Sequence, residues 1–352
     1  MTTSLDERLV EGVTAALEMY GVHLGRTLGL YAALSDRGPL TAGELADVAG
    51  IDQRYAREWL EQQAVAAYLV VAEPSPSGEQ RRYALPSDHV GALVDVDDPA
   101  HVSPLVDMVA GIGGVLPELV DAYRTGAGVP YRHYGPDFRR GQGGVNRPAF
   151  THDLTEAWLP AIPDVHEALG RPGARIADLG CGLGFSTIAL ATAYPGAEVV
   201  GIDSDPPSID DAREQARQAG VRVHYVAADA TEVGAHGPFD VVLVLEALHD
   251  MARPVETLRA AHKSLGEGGS VIVVDERVQA EFTAPGDVIE RMMFGWSITH
   301  CLPTQRAEEP SAAIGTVLRS SHVAALADEA GFTHVEETDI DAGFFRVYVL
   351  TP

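Results

Sequence analysis

Residues 174–195 read ARIADLGCGLGFSTIALATAYP, and this stretch decides the fold of the C-terminal half of the chain. The apolar run that ends at Leu179 predicts a buried strand. Gly180, Gly182 and Gly184 then predict a sharp turn into a helix, because glycine allows tight backbone conformations and close approach to a ligand. The stretch therefore predicts a strand, a ligand-binding turn and a helix in succession.

Asp178 stands at the end of this strand, directly before the glycines. A carboxylate in that position suits a cationic amino acid group better than a pyrophosphate. The glycines are spaced G-x-G-x-G, whereas dinucleotide-binding folds use G-x-G-x-x-G, so the spacing argues against a nicotinamide dehydrogenase. A plain strand-to-helix turn is the structural alternative, and three glycines with an acid make it the weaker one.

Downstream of this turn, strand patterns alternate with helix patterns to the end of the sequence. Continuous apolar runs such as FDVVLVL at 239–245 are typical of parallel strands buried on both faces. The predicted strands are 175–179, 198–202, 221–227, 239–245, 270–275, 333–338 and 344–350. The predicted helices are 184–194, 206–219, 254–265 and 320–330. The pattern predicts an α/β, Rossmann-like, seven-stranded domain over 171–352, interrupted by a lid insertion at 281–320.

The N-terminal region predicts a mainly α-helical winged-helix domain over residues 1–95. Thr41 with Glu44 has the spacing of a capping box, a glycine turn follows, and a longer helix runs from Asp52. A hairpin with its turn at 74–78 completes the wing. Residues 96–170 predict a helical linker that forms part of a pocket, broken by a glycine-rich aromatic loop at 128–148.

Two further acids end the next strands of the predicted sheet. Asp203 follows the second strand about 20 residues after the glycine turn, where an acid can bind both hydroxyls of a ribose. Asp229 ends the third strand and could accept a hydrogen bond from an adenine amino group. Each could instead cap a following turn or helix, but three acids at successive strand ends favour a common ligand site.

These motifs resemble those of the class I S-adenosylmethionine-dependent methyltransferases. DLGCGLG, GIDSD, AADA, FDVVLVLEALHD and KSLGEGGSVIVVDE match the family's first five motifs, with no proline in the last turn. The N-terminal domain resembles the winged-helix dimerisation domain of bacterial small-molecule and plant-type O-methyltransferases. The sequence of the predicted lid insertion resembles that of a bacterial subgroup often labelled methyltransferase-type transcriptional regulators. The resemblance implies S-adenosylmethionine as cofactor, S-adenosylhomocysteine as product, and a cofactor site drawn from Tyr134, Asp178, Gly180, Gly182, Phe185, Asp203, Ser204, Asp229, Ala230 and Glu246.

His249 in LEALHD is the predicted general base, because a hydroxyl acceptor must lose a proton and histidine titrates near neutrality. In the O-methyltransferases that this chain resembles, a His-Asp pair at the matching place contains the base. Glu276, or its neighbour Asp275, ends the fifth strand and could orient the ring. Alternatively His249 shapes the pocket, and a carbon or nitrogen acceptor is methylated by positioning alone.

The predicted pocket for a small-molecule acceptor consists of aromatic, sulfur-containing and imidazole side chains in and near the lid. Tyr134 in the glycine-rich stretch covers the cofactor, or simply anchors its loop. A helical stripe such as VIERMMFGW is often only core packing, which is the alternative for the whole set. The predicted acceptor residues are Phe150, Trp158, Met293, Trp296 and His300.

The composition of the chain indicates which other kinds of molecule it is not expected to bind. The formal net charge is −26, which repels phosphate backbones and anionic lipids, so a nucleic-acid substrate is not expected. No apolar run is long enough to span a membrane, and no secretion signal is visible. The chain has two cysteines, Cys181 and Cys301, in no metal-binding spacing, which predicts no metal site and a cytoplasmic, reducing location.

The winged helix leaves a second functional class open, a DNA-binding regulator that uses the methyltransferase fold as a ligand sensor. The helix after Asp52 mixes Arg54 and Arg57 with acids and then becomes apolar, whereas a groove-reading helix presents a basic face. Its apolar residues within 56–71 predict a contact with a second chain instead. We therefore expect a homodimer built through the N-terminal domain.

Overall fold

The computed structural model describes residues 4–352 and divides the chain into two compact units. The first extends to Gly113 and includes Asp137–Pro148. The second contains Gly114–Pro136 and Ala149–Pro352. The long helix over 105–125 and the helix over 135–148 each cross from one unit to the other.

The N-terminal unit is mainly helical with one small antiparallel hairpin. Its hairpin pairs Val70 with Ala84, and Tyr83 also forms a bridge with Leu40. The helices are α1 (Leu5–Thr27), α2 (Leu30–Arg37), α3 (Ala42–Ala49), α4 (Gln53–Val65), α5 (Val90–Leu93), α6 (Leu105–Thr125) and α7 (Gly135–Pro148), and the strands are β1 (Val70–Glu73) and β2 (Arg82–Ala84). Two helices followed by a β-hairpin confirm the predicted winged-helix arrangement.

Local capping defines where the helices of this unit begin. Thr41 and Glu44 form a reciprocal capping box at the start of α3, as their spacing predicts. The Asp52 carboxylate accepts hydrogen bonds from two backbone N–H groups at the start of α4. Each cap satisfies backbone donors that a helix cannot satisfy internally, which fixes the entry of both helices.

The apolar face of α4 packs inside its own unit. Ala56 and Leu60 are completely buried, and Trp59 contacts the Tyr31 ring at a centroid distance of 5.1 Å. The Trp59 indole N–H also donates to the Gly21 carbonyl at 2.8 Å. Ala56 and Leu60 are therefore covered within their own unit and do not await a second chain, whereas Ala67 of the same predicted face is exposed.

Helix α1 has an apolar side that is exposed in the structure. Its exposed large side chains follow each other at intervals of three or four residues, which places them along one side of the helix. The opposite side buries Val22 and Gly25 against the core. The exposed side chains are Leu5, Leu9, Val13, Leu17, Tyr20 and Leu24, with Val10 beside them and Leu28 directly after the helix.

The glycine-rich stretch is helical, so the predicted loop at 128–148 is wrong beyond Pro130. A short 3-10 turn over Tyr131–Tyr134 leads into α7. A Cβ atom at Gly141 would lie 2.7 Å from the carbonyl oxygen of Pro104. The glycines are thus suited to close packing of α7 against the start of α6, a tertiary contact that composition alone does not reveal.

The C-terminal unit contains a seven-stranded sheet in the order β5-β4-β3-β6-β7-β9-β8. All neighbouring pairs are parallel except the two that involve β9, which is antiparallel to β7 and β8. The strands are β3 (Arg175–Leu179), β4 (Glu198–Asp203), β5 (His224–Ala227), β6 (Phe239–Leu245), β7 (Leu265–Glu276), β8 (His334–Glu337) and β9 (Phe345–Thr351). The helices are α8 (Pro163–Leu169), α9 (Phe185–Ala193), α10 (Pro206–Ala219), α11 (Pro254–Lys263), α12 (Val288–Trp296), α13 (Leu302–Arg306) and α14 (Ser320–Ala330).

The strand order changes direction between β3 and β6, which follow one another in the sheet but not in the chain. Ligands of open α/β sheets bind at the carboxyl ends of the strands beside such a switch point. Buried clusters on both faces of the sheet include Val242 on one side and Leu243 on the other. The carboxyl ends of β3, β4, β6 and β7 are therefore held in place by a two-sided core.

The insertion after β7 contains α12 and α13, joined by a π-helical turn over Ser297–Cys301. Arg319, near the end of the insertion, forms a buried ion pair with Glu290 of α12 and also donates to the carbonyl of Gln279, just before the insertion. These contacts join the end of the insertion to its start. Within residues 4–352, no helix combines the length and the apolar character needed to cross a bilayer.

Candidate active site

The glycine turn follows β3 as predicted. Gly180, Gly182 and Gly184 all adopt positive φ values, of 78°, 50° and 82°. A Cβ atom at Gly184 would lie 2.6 Å from the Tyr225 hydroxyl, whereas one at Gly182 would meet no atom within 4 Å. The turn is thus tightly packed at its helix end and open at its centre, as a backbone that receives a ligand requires.

Asp178 lies beneath this turn and is almost completely buried. The Ser186 hydroxyl donates to Oδ2 of Asp178, while Oδ1 is buried with no hydrogen-bond partner. Burial raises the pKa of Asp178 to about 7, against the lowering effect of the Ser186 hydrogen bond. A buried carboxylate oxygen without a donor fits a cationic group supplied by a ligand.

Asp203 ends β4 and contacts the glycine turn directly. Its Oδ2 accepts from the Gly182 N–H at 2.8 Å, and its Oδ1 accepts from the Asp205 N–H at 2.8 Å. Burial raises the pKa of Asp203 in spite of these hydrogen bonds. The alternative role for Asp203 was to cap the following helix, but Asp205 caps α10. Each Asp203 oxygen keeps lone-pair capacity for a further donor such as a ribose hydroxyl.

Asp229 performs the capping role that was the alternative to adenine binding. It accepts from the N–H and hydroxyl of Thr231 at the start of the 3-10 turn over Ala230–Ala235. Arg253 also donates to it at 2.6 Å. Burial alone would raise the pKa of Asp229, but these hydrogen bonds outweigh it and lower the pKa. The structure thus assigns both oxygens of this carboxylate to protein donors.

The remaining predicted cofactor residues lie on the loops at the same end of the sheet. Phe185 begins α9, Ser204 is exposed after β4, and Ala230 begins the 3-10 turn. Glu246 follows β6 with a φ of 49°, and its N–H donates to the Val274 carbonyl at 2.7 Å. A non-glycine residue in this left-handed region is strained, and such strain concentrates at functional sites.

His249 lies on the turn after β6 and is 3% exposed. Its Nδ1 is 3.0 Å from Oδ1 of Asp275 and 3.3 Å from Oε2 of Glu276. The Glu276 N–H donates to the same Asp275 oxygen at 3.1 Å. Of the two acids weighed from the sequence, Asp275 is therefore the hydrogen-bond partner of His249, and Glu276 is a close neighbour.

The opposite ring nitrogen of His249 faces a different set of side chains. Its Nε2 is 3.6 Å from Oδ1 of Asp250, and the Cys301 thiol lies within 4.8 Å of nitrogen and oxygen atoms of these two residues. Because Nδ1 donates to Asp275, the neutral ring carries its lone pair on Nε2. That nitrogen is the one available to accept a proton.

Three carboxyl groups determine the proton affinity of His249. Burial alone would lower its pKa, but Asp275, Glu276 and Asp250 outweigh burial and raise the pKa of His249 well above the ordinary histidine value. Burial raises the pKa of Glu276 strongly. For Asp275 the nearby imidazole overcomes burial and lowers the pKa. Next to His249, the pKa of Asp275 is therefore lowered, whereas the pKa of Glu276 is raised.

His300 and Tyr134 come together beside this cluster. The π-helical turn over Ser297–Cys301 buries both His300 and Cys301, which neighbour each other in sequence. The rings of His300 and Tyr134 meet edge to face at 4.8 Å, and the Tyr134 hydroxyl donates to the Thr299 carbonyl at 2.8 Å. Burial lowers the pKa of His300 to about 4 and raises the pKa of Tyr134. Both groups are therefore neutral at physiological pH.

The other predicted acceptor residues divide into core and lid positions. Phe150 and Trp158 contact Phe345 in the apolar core, and Phe345 pairs with Glu276 in the sheet. Met293 is buried and Trp296 half-buried on α12. The contacts of Phe150 and Trp158 favour the core-packing alternative, whereas His300 lies beside the base cluster.

Comparison with known proteins agrees with this architecture. Residues 171–309 match the family model described as a methyltransferase domain, and residues 15–94 match an Rv2258c-like winged HTH domain. A ubiquinone biosynthesis O-methyltransferase of Cereibacter sphaeroides is 36% identical over 110 residues, which are 31% of this chain and 44% of that protein. The chain thus matches less than half the length of this curated relative.

Two solved structures superpose on almost the whole chain. Human N-acetylserotonin methyltransferase, solved in complex with S-adenosylmethionine, has a TM-score of 0.71 at 16% identity and covers 99% of this chain and 98% of its own. The mitomycin 7-O-methyltransferase MmcR has a TM-score of 0.71 at 20% identity and covers 98% of this chain and 97% of its own. The fold of this chain is therefore the one that these two methyltransferases share.

The particular arrangement in this chain is a methyltransferase domain with an N-terminal winged helix-turn-helix domain. The architecture predicted from the glycine turn and the strand pattern is confirmed.

Proposed function

We propose that this protein is an S-adenosylmethionine-dependent methyltransferase that methylates a hydroxyl group of a small molecule, with His249 as general base. The observation that carries the proposal is the buried pair of His249 and Asp275, 3.0 Å apart at the carboxyl ends of β6 and β7. A carboxylate on Nδ1 orients the ring and leaves Nε2 to accept the proton of the acceptor. The O-methyltransferase names of the relatives support oxygen as the methylated atom.

The cofactor supplies a methyl group on a sulfonium, and the chain must position the acceptor and manage its proton. Asp178 offers a buried oxygen without a donor to the ammonium of the cofactor's amino acid part. Asp203 offers its remaining lone pairs to the ribose. His249 removes the acceptor proton as the oxygen attacks, and the negative charge of Asp275 stabilises the resulting imidazolium. The acceptor itself is a small molecule, which we place beside His300.

Cofactor binding tests the first half of the proposal. We expect S-adenosylhomocysteine to bind with micromolar or tighter affinity, which corresponds to about −8 kcal/mol. NAD serves as the matched control, since it shares the adenosine but carries a pyrophosphate where Asp178 requires a cation. Calorimetry that gives NAD an equal or higher affinity would refute the cofactor assignment.

The arginines of the winged helix argue against a DNA-binding regulator. Arg54 pairs with Glu58, and Arg57 pairs with Glu61 at 3.2 Å. Arg81, near the wing, also contacts Glu61 at 3.2 Å. Each positive charge is thus neutralised locally in a chain of net charge −26, so phosphate contacts are not favoured. Measurable affinity for random duplex DNA at low salt would support the regulator instead.

A second copy of this chain is the partner that we propose for the exposed apolar side of α1. Seven large apolar side chains lie exposed on α1 and an eighth, Leu28, directly follows it, in a strongly acidic protein. An isologous two-fold contact would cover this side of both copies at once. Leu9→Glu combined with Leu17→Glu should produce monomers in light scattering, whereas Val65→Glu, at an exposed position of α4, should not. A monomeric parent protein at micromolar concentration would refute the proposal.

We propose a cytoplasmic location on the basis of cysteine chemistry. Cys181 and Cys301 are both buried and unpaired by a disulfide, as expected of a protein in a reducing compartment. Fractionation of the native host that finds the protein outside the cytoplasm would refute this location.

A further inference from the structure

Gln305 is a buried side chain that makes contact with the backbone of the proposed base. It lies on α13 in the insertion after β7 and is 1% exposed. Its Nε2 donates to the backbone carbonyl of His249, and its Oε1 accepts from the Gly315 N–H at 2.9 Å. One amide therefore joins the His249 turn to two separate parts of the insertion.

The orientation of this amide is determined by its partners. Reversing it would direct the amide oxygen at the His249 carbonyl and the NH₂ group at the Gly315 N–H, which are two repulsive contacts. A buried primary amide also loses free energy when either end lacks a partner. The side chain consequently holds both backbone groups in one arrangement.

Two further hydrogen bonds hold the segment that contains Gly315. The Ala312 N–H donates to the Ala252 carbonyl at 2.7 Å. The Thr316 N–H donates to the Ser297 hydroxyl at 3.2 Å. The insertion is therefore joined to the region of the His249 turn at Gln305 and at Ala312, and its own segments are joined at Thr316.

We propose that Gln305 is a positioning residue that sets the backbone of His249, and so couples the arrangement of the insertion to the alignment of the base. This inference rests on the proposed function, in which His249 is the base. Asp275 fixes the ring at Nδ1 from the sheet, and Gln305 fixes the backbone from the insertion. A base must lie within hydrogen-bond reach of the acceptor proton, so a small backbone shift lowers turnover without affecting the cofactor residues.

The first test needs no acceptor. The proton shared by His249 Nδ1 and Asp275 should give a strongly downfield NMR resonance, assigned by its loss in His249→Asn. Gln305→Met keeps the length of the side chain and removes both hydrogen bonds, so we expect this resonance to shift or broaden. Gln218→Met, at an exposed position of α10, is the matched control and should leave it unchanged. An unchanged resonance in Gln305→Met would overturn the proposal.

The second test uses transfer of a labelled methyl group to a phenol selected from a panel by turnover. Gln305→Met should lower kcat about tenfold, because alignment of the base accounts for part of the rate enhancement by general-base catalysis. Affinity for S-adenosylhomocysteine should stay within about twofold of the parent. Gln305→Glu keeps an acceptor for Gly315 but loses the donor to His249 when ionised, so it should also lower kcat. A parent-like kcat in both variants would overturn the proposal.

A double-mutant cycle separates positioning from general loss of structure. If Gln305 acts only through His249, Gln305→Met should cause no further loss of kcat in a His249→Asn background. An equal loss in both backgrounds would refute the positioning role and leave the base intact. Full activity of His249→Asn alone would instead refute the proposed base, so the two failures are distinguishable.

Discussion

Replacement of His249 tests the proposed mechanism most directly. His249→Asn should lower kcat at least a hundredfold, because an amide cannot accept the acceptor's proton. Its NH₂ group can still donate to Asp275 from nearly the position of Nδ1. Affinity for S-adenosylhomocysteine should therefore stay within about twofold of the parent, since Asp178 and Asp203 lie on other strands.

The magnitude follows from two separate effects of the buried cluster. General-base catalysis contributes about 10²- to 10⁴-fold, which is about 2.7 to 5.4 kcal/mol of barrier at 1.36 kcal/mol per tenfold. Breaking a buried ion pair costs about 3 to 5 kcal/mol of stability, and the Asp275 carboxyl is only 1% exposed. His249→Ala should lose both the general base and the stability of the ion pair, whereas His249→Asn should lose mainly the general base. Comparing the two variants therefore separates the effect on catalysis from the effect on folding.

The pH dependence gives an independent measurement. Only the neutral ring accepts a proton, so the parent rate should rise with pH through the titration of His249. Its midpoint should lie above about 6.5, because Asp275, Glu276 and Asp250 raise the pKa of this imidazole. By linkage, a raised pKa stabilises the fold at low pH, and this contribution is lost as pH rises through the folded-state pKa. Full turnover by His249→Asn, or a parent rate independent of pH between 5 and 9, would refute the reasoning.

Three other predictions concern single carboxylates of the site. The affinity for S-adenosylhomocysteine, measured by calorimetry, should rise as pH increases through about 7, because ionised Asp178 binds an ammonium. Asp178→Asn should abolish this rise and weaken binding about tenfold or more. Asp203→Ala should weaken cofactor binding by about 1 to 3 kcal/mol in the same assay, and a neutral result would place the ribose contact elsewhere. Asp250→Asn should move the midpoint of the pH–rate profile to lower pH, because it removes one of the carboxylates that raise the pKa of His249. An unchanged midpoint would show that Asp250 does not raise this pKa.

The parts of the fold that depend on local sequence could be predicted. The glycine turn, the capping box of Thr41 and Glu44, and the position of His249 after a continuous apolar strand all follow from residues adjacent in the chain. The strand order is then limited by the rules of open α/β sheets. The location of the candidate site at the carboxyl ends of the strands was therefore accessible from the sequence.

The wrong predictions concern features that tertiary contacts determine. Glycine content predicts a loop for 128–148, but residues 135–148 form a helix whose Gly141 packs closely against Pro104. The apolar face of α4 was assigned to a second chain, although Leu60 lies in the core of its own unit. Nothing in the sequence indicates that Gln305 reaches His249, since 56 residues separate them.

The choice between Asp275 and Glu276 also lies beyond sequence patterns. Adjacent residues of a regular strand point to opposite faces, yet both carboxyl groups approach the same imidazole at the end of β7. Which one forms the hydrogen bond depends on the local geometry of the strand end. Their sequence neighbours cannot reveal that geometry.

The left-handed backbone of Glu246 has a consequence for laboratory evolution of this protein. Its φ of 49° disfavours most residues other than glycine, asparagine and aspartate, at a cost of about 1 to 2 kcal/mol. A library at this position sorted only for heat resistance should therefore enrich glycine or asparagine over glutamate. Sorted for methyl transfer, the same library should retain glutamate, if its carboxylate and not its backbone serves the site. The difference between the two enriched populations would show how much stability this one residue exchanges for activity.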